Sequence, residues 1–377
     1  MSFNKVGWLR RSSQIMEAIE DKGSSLIRSF KIGTLDDALV ELPPPPNEEL
    51  EEVSKSDIKK DLEAEPIDPT KIKEKQSGGV AAQTARLIHN STVKAITDES
   101  GKEWNLGKLI EMLTKKPEDI LAQNSKIKKS GKGDKTFYDF GIPAYHGLFF
   151  DEDTKEFKLV KTCPSAGACK AFCYAAKGGY VMFPNSSLKS GSVLNYLLNH
   201  PEDFKDQMVA EIKEANQKAA KKNQKMILRW HDSGDFFNGA YTDLAFEIAR
   251  ATPDVRHYAY TKQVDLLRGK EKPDNFIINY SKGGTQDKDI EPEDKQASVV
   301  PKPLFKDLNL KDSKDQEILK DRVAEKMNLK RDKMLTYDEL MKIPESDVPR
   351  YHVLVWKGHG DDSATRRDVI TTLLLIH

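Results

Sequence analysis

Cysteine is almost missing from this sequence. Cys163, Cys169 and Cys173 are the whole complement, and all three fall in one short stretch, KTCPSAGACKAFCYA (161–175). An odd number confined to one loop excludes a disulfide framework, which needs even counts spread along the chain. Net charge is absent too, with 60 Lys+Arg against 60 Asp+Glu. That balance removes the case for a general polyanion-binding surface, although local patches still allow nucleic acid. No run of about 18 apolar residues occurs, so no membrane span is expected. Residues 1–10 lack the apolar core of a signal peptide, and the chain reads as a soluble cytoplasmic protein. Apolar residues make up only 38 % against 32 % charged, so a substantial extended portion is expected beside the folded part.

That extended portion falls near the start. Residues 1–42 carry Trp8, Ile15, Ile19, Leu26, Ile27 and Phe30 at roughly helical spacing. They form a helical arm that either packs on the main domain or docks a protein partner. A proline run at 43–46 and the acidic sequence after it read as a linker over 43–79. The folded body is expected over 80–377, with the cysteine loop at 163–173.

Within that body, helical and strand patterns alternate. PEDFKDQMVAEIKEANQKAAKKN is a helix with Pro201 as its first residue, acidic side chains in its opening turn and lysines in its last. KMILRWH, VRHYAYTK, NFIINYS and YHVLVWKG read as strands, YTDLAFEIARATP as a helix, VDLLRG as a short helix, and VITTLLLI as a buried terminal segment. Such alternation predicts an α/β fold, an open or partial (β/α) barrel of parallel strands with covering helices. EFKLVK leads straight into Cys163, which puts the cysteine loop at a strand's carboxyl end, where such sheets place their chemistry.

Three clustered thiols call for a positive partner, because thiolates repel one another and free thiols oxidise. Zinc would need a fourth ligand such as His231. A cubane iron–sulfur cluster would leave one iron open. Three incidental buried thiols are the bland alternative. A second constellation, His231-Asp232-Ser233-Gly234-Asp235, directly follows the strand MILRW. It is either turn chemistry, with Asp235 capping the next helix, or a ligand or metal site. A metal-dependent nuclease using His231, Asp232 and Asp235 is a third reading. Tyr258, Tyr260, Thr261 and Lys262 end a further strand, as core or as site.

KTCPSAGACKAFCYA, LRWHDSGDFF, HYAYTK and GHGDDSATRRDVITTLLLIH together resemble the bacteriophage gene product eighty-eight family, over roughly residues 122–377. That family is distantly similar to radical S-adenosylmethionine proteins. The resemblance implies a four-iron four-sulfur cluster on Cys163, Cys169 and Cys173, and S-adenosylmethionine beside it. Phe172 would lie near the adenine. Ser233, Gly234 and Asp235 would correspond to the segment holding the methionine amino group, with Tyr260 and Lys262 completing the cofactor site. The C-x5-C-x3-C spacing differs from the usual C-x3-C-x2-C, and Asp235 stands where glutamate is usual. The expected protein is thus a phage-type radical enzyme in the host cytoplasm, its substrate unspecified. A zinc-stabilised binding module without turnover is the alternative.

Overall fold

The computed structural model describes residues 53–72, 82–89, 105–124, 127, 128, 131, 133–356 and 360–375. The helical arm expected over 1–42 lies outside the described residues, as do 43–52 and 73–80.

In chain order the strands are β1 (Ala64–Pro66), β2 (Lys135–Asp139), β3 (His146–Asp151), β4 (Glu156–Lys161), β5 (Lys225–Trp230), β6 (Arg256–Thr261), β7 (Phe276–Ser281), β8 (Gln296–Val299), β9 (Met334–Thr336), β10 (Tyr351–Val355) and β11 (Val369–Leu374). Eight of them form one sheet in the order β2-β5-β6-β7-β8-β11-β10-β9, parallel throughout. The fold is therefore α/β. Among the described residues the sheet is open, with β2 and β9 at its edges. Strands β1, β4 and β3 make a separate antiparallel sheet.

Burial explains why the parallel strands stood out in the sequence. β5 is buried at every position after Lys225, and β7 at every position before Ser281, so both need apolar residues on both faces. The terminal VITTLLLI segment supplies β11, which lies between β8 and β10. Helix Pro201–Ala220 buries Phe204, Met208, Ile212, Ala215 and Ala219, a single stripe at helical spacing. That stripe joins Trp230, Phe236, Tyr241 and Phe276 in the largest apolar cluster. Each such side chain contributes about 1.5–3 kcal/mol by leaving water. No helix among the described residues is long and apolar enough to cross a membrane.

Three sequence expectations change. Residues 53–72, read as part of an extended linker, belong to the folded body. Ser54 and Asp57 form a capping box that starts helix Lys55–Lys60, and Ile58 on that helix is fully buried in the main core. Lys59 bonds Asp151 at 2.6 Å, and β1 then pairs with β4. Second, the strand entering the cysteine loop is β4, of the antiparallel sheet, not a member of the parallel set. Third, VDLLRG is a series of turns rather than a helix, ending at Gly269 with φ +86°.

Candidate functional site

The cysteine loop starts on the small sheet but lands on the large one. Just after β4, the Thr162 hydroxyl donates to Pro143 O at 2.5 Å, and Thr162 O accepts from Asp235 N at 3.0 Å. Farther along, Thr285 N donates to Ser165 O at 3.0 Å, and Cys169 N to Gly283 O at 3.1 Å. The approach is close enough to demand glycine on both sides. A Cβ on Gly167 would stand 2.6 Å from the Gly284 carbonyl carbon, and one on Gly284 would stand 2.9 Å from Ser165 O. The loop is thereby fastened to the segments that follow β5 and β7. Parallel strands end on one edge, so this is the carboxyl edge of the sheet.

There a cavity of 300 Å³ is lined by Cys163, Cys169 and Cys173 together with Asp235, Thr261 and Lys262. Cys163 Sγ accepts from Tyr145 N at 3.3 Å, an N–H aimed by the left-handed conformation of Tyr145 at φ 72°. The backbone N–H groups of Ala175 and Ala176 bond the Cys173 sulfur. Burial pushes the Cys163 thiol far up, and the Asp235 charge adds to it. Burial raises Cys173 as well, against those N–H groups. Without a cation, burial keeps Cys163 and Cys173 as neutral thiols.

Asp235 is a buried tie. Its Oδ1 accepts from the Thr261 hydroxyl at 2.6 Å and from Phe236 N at 2.8 Å, and its Oδ2 from Lys262 N at 2.9 Å. Burial raises its pKa against these same bonds. The carboxylate thus joins the loop after β5 to the end of β6. Ser233 donates its hydroxyl to Ile142 O at 2.7 Å, and Gly234, at φ +82°, would put a Cβ 2.3 Å from the Ile142 side chain. Ser233 and Gly234 therefore offer backbone to the cavity. Lys262 Nζ donates to Ser281 Oγ at 3.0 Å, and the Tyr260 hydroxyl to Gly360 O at 2.9 Å. Phe172 ends the 3₁₀ segment Gly167–Phe172, and its side chain lies outside the described residues.

His231, Asp232 and Asp235 are not gathered on one point. His231 Nε2 meets the Tyr241 hydroxyl at 2.7 Å, and the ring packs edge-on against Phe236 with centroids 4.6 Å apart. Burial, then the Arg229 charge, lowers its pKa to about 3, leaving neutral imidazole. Asp232 turns to the Tyr180 hydroxyl at 2.9 Å, and Asp235 to Thr261. Among the described residues no group of three or more His, Cys, Asp or Glu side chains is arranged to hold a single metal ion.

Sequence reasoning missed the buried ion pair that lines the cavity. Arg229 Nη1 lies 2.8 Å from Asp361 Oδ1, with the two side chains 7 % and 2 % exposed. Asp361 also accepts from the Tyr258 hydroxyl at 2.9 Å, and the Arg229 guanidinium lies 5.3 Å from the centre of the Tyr260 ring. Arg229 Nη2 reaches the Tyr174 hydroxyl at 3.4 Å. The available signal was an arginine inside an otherwise apolar strand, since a buried guanidinium needs an anion. Asp362, beside Asp361, pairs with Lys135 at 2.6 Å. The segment after residue 359 therefore closes the site.

Fold and site define an α/β protein with a three-cysteine loop clamped on the carboxyl edge of a parallel sheet. The sequence profile of the family described as Gene product 88 matches residues 112–336, more than half of the chain, and the protein belongs to that family. The match begins earlier than the resemblance over 122–377 and stops before the segment carrying Asp361. A relative, the Gene 88 protein of Mycobacterium phage L5, is 33 % identical over 130 residues, or 32 % of this chain and 52 % of that protein. This chain thus spans about half the length of that relative. No solved structure matches.

Proposed function

We propose that this protein is an iron–sulfur protein in which Cys163, Cys169 and Cys173 hold a four-iron four-sulfur cluster and S-adenosylmethionine binds beside it. One observation carries the reading: every cysteine of the chain lines the same cavity, at the sheet edge that also carries Asp235 and Lys262. The donor set fits. Three thiols with backbone N–H groups directed at two of them offer soft ligands and the hydrogen bonds that tune cluster sulfurs. Bound there, such a cluster would supply an open iron for the cofactor's amino and carboxylate groups and the electron that cleaves its carbon–sulfur bond.

The chain's own residues do the positioning. Asp235 keeps the loop after β5 against β6, and its Oδ2, with one N–H bond from Lys262, retains a lone pair for an ammonium group. The Lys262 ammonium lies close enough for its charge to act on Cys173, and it is placed to meet a carboxylate. Arg229, neutralised by Asp361, stiffens the cavity wall.

The test is anaerobic preparation with iron and sulfide, followed by metal and acid-labile sulfide analysis. About four of each per chain is the expected result, with loss of iron on Cys163→Ala, Cys169→Ala or Cys173→Ala. Zinc in place of iron overturns the cluster reading. A reconstituted cluster that binds no S-adenosylmethionine overturns the cofactor part alone.

A further inference from the structure

Tyr174, Arg229 and Ser233 line the first cavity on one side and a second, of 630 Å³, on the other. The second has a different character. Ile120, Phe140, Tyr180 and Phe183 give it apolar walls, and its polar groups include Asp232 and the carboxamide of Gln83. Asp232 is fixed from two sides, with its Oδ2 accepting from Tyr180 and its carbonyl accepting from the Tyr174 hydroxyl. Gly141 makes room for it, since a Cβ there would stand 1.9 Å from Asp232 Oδ1.

Two of the lining residues, Gln83 and Arg229, each keep one buried donor without a partner among the described residues. Gln83 is 3 % exposed; its Oε1 accepts from Ala144 N at 2.6 Å, while its Nε2 has no partner among the described residues. Arg229 engages Nη1 and Nη2, and its buried Nε has none. Such orphans are rare in folded proteins and mark a place where a ligand or water supplies the acceptor. At the mouth, Phe183 is 62 % exposed and its neighbour Met182 66 %, apolar surface beside a polar interior.

We propose that this second cavity binds a nucleobase, presented as a nucleoside or nucleotide. The groups call for a planar ligand with donors and acceptors on one edge. A carboxylate accepts from an exocyclic amino group, a carboxamide and a guanidinium N–H donate to ring nitrogen or carbonyl oxygen, and Tyr180 and Phe183 offer faces for stacking. A simple amine would use Asp232 alone, and a simple carboxylate only the donors. Lys189, whose Nζ reaches Leu121 O at 2.9 Å, gives the wall an ammonium group for a phosphate. The inference goes beyond the cluster reading and does not need the cluster.

The test is calorimetric titration of the full chain, prepared free of metal, with adenosine, cytidine, guanosine and uridine, and with phenylalanine as a zwitterionic control. Amino-bearing nucleosides are expected to bind more tightly than uridine, and phenylalanine not to bind. Phe183→Ala is expected to weaken binding about tenfold, the size of a lost stacking contact. Asp232→Asn should weaken the amino-bearing nucleosides most. Phe183 is exposed, so its variant keeps the test decisive should Asp232→Asn fold poorly. No nucleoside binding at about 1 mM, or binding of phenylalanine alone, overturns the proposal. So does weakening by Lys262→Ala with none by Phe183→Ala, which would place the nucleoside in the first cavity. Iron content plays no part in these readouts, so this proposal and the cluster reading fail separately.

Discussion

Arg229 and Asp361, 132 residues apart, form a 2.8 Å ion pair in the wall between the two cavities. One partner is the next-to-last residue of β5, the strand before the His-Asp-Ser-Gly-Asp segment, and the other is the second residue of the short helix Gly360–Ala364 near the chain's end. The pair fastens the last parallel strands to the site edge. Its two ends come from opposite sides of the sheet order, so neither half of the chain builds the site alone.

Breaking that pair should be costly in one direction only. Asp361→Ala leaves a buried guanidinium without its anion, and a loss of about 3–5 kcal/mol is expected in urea unfolding. Replacing both partners with apolar residues of similar size should cost distinctly less, because both desolvation penalties are removed together. A double variant that loses as much stability as its two single variants added together would show that the pair is not energetically coupled.

Residues 53–72 give a second expectation. A chain beginning at residue 80 loses the buried Ile58, β1 and the Lys59–Asp151 bond. It should unfold at lower denaturant than a chain beginning at residue 52. Ile58→Ala alone should cost about 2–5 kcal/mol, as for other buried aliphatic truncations. Equal midpoints for the two chains would return these residues to the status of a linker.

What was legible in the sequence follows from burial. β5, β7 and helix Pro201–Ala220 announced themselves because a strand covered on both faces is continuously apolar and a covered helix carries one stripe. Helix Lys55–Lys60 hid because Ile58 is its one apolar residue, although Ser54-x-x-Asp57 was a readable capping box. The membership of β4 could not be read, since a strand's own sequence does not name its partner, and β1 offers three residues, one of them proline. The cysteines and Asp235 do line one cavity, but the route differs from the one expected. Glycine contacts and the Asp235 N–H to Thr162 O bond bring the loop to the edge, rather than a shared parallel strand. Arg229 showed itself only as an arginine in an apolar strand, and its partner Asp361 stayed hidden because pairing across a sheet edge leaves no local pattern.

Asp139 gives the stability a pH dependence. It is fully buried on β2, Asn124 donates to its Oδ2, and its Oδ1 has no partner among the described residues. Burial, then the Asp232 charge, raises its pKa to about 7, against about 3.9 in an unfolded chain. Between those values the folded state holds the proton more tightly, so the folded state binds more protons than the unfolded one and stability falls as pH rises. The contribution is complete below about pH 4 and is lost through about pH 7. Denaturation midpoints should therefore decline from about pH 4 to 7 in the native protein, and less steeply in Asp139→Asn. Identical slopes would assign the titration elsewhere.

Asp235→Asn separates a tie from a ligand contact. The carboxylate accepts three hydrogen bonds, two at Oδ1 and one at Oδ2. A carboxamide can keep the Oδ1 pair only by turning its NH₂ toward Lys262 N–H, which sets donor against donor. The metal-free variant should then be less stable by about 1–3 kcal/mol, the cost of a buried donor left without an acceptor. The three thiols are untouched, so iron uptake should persist. Binding of S-adenosylmethionine to the reconstituted protein should weaken about tenfold or more, because the charge-assisted bond to an ammonium group is lost. Unchanged metal-free stability with weakened cofactor binding would make Asp235 a ligand group that the internal bonds merely accompany. The reverse pattern, lost stability with full cofactor affinity, would leave Asp235 as the strap between β5 and β6 and assign the ammonium group to another acceptor.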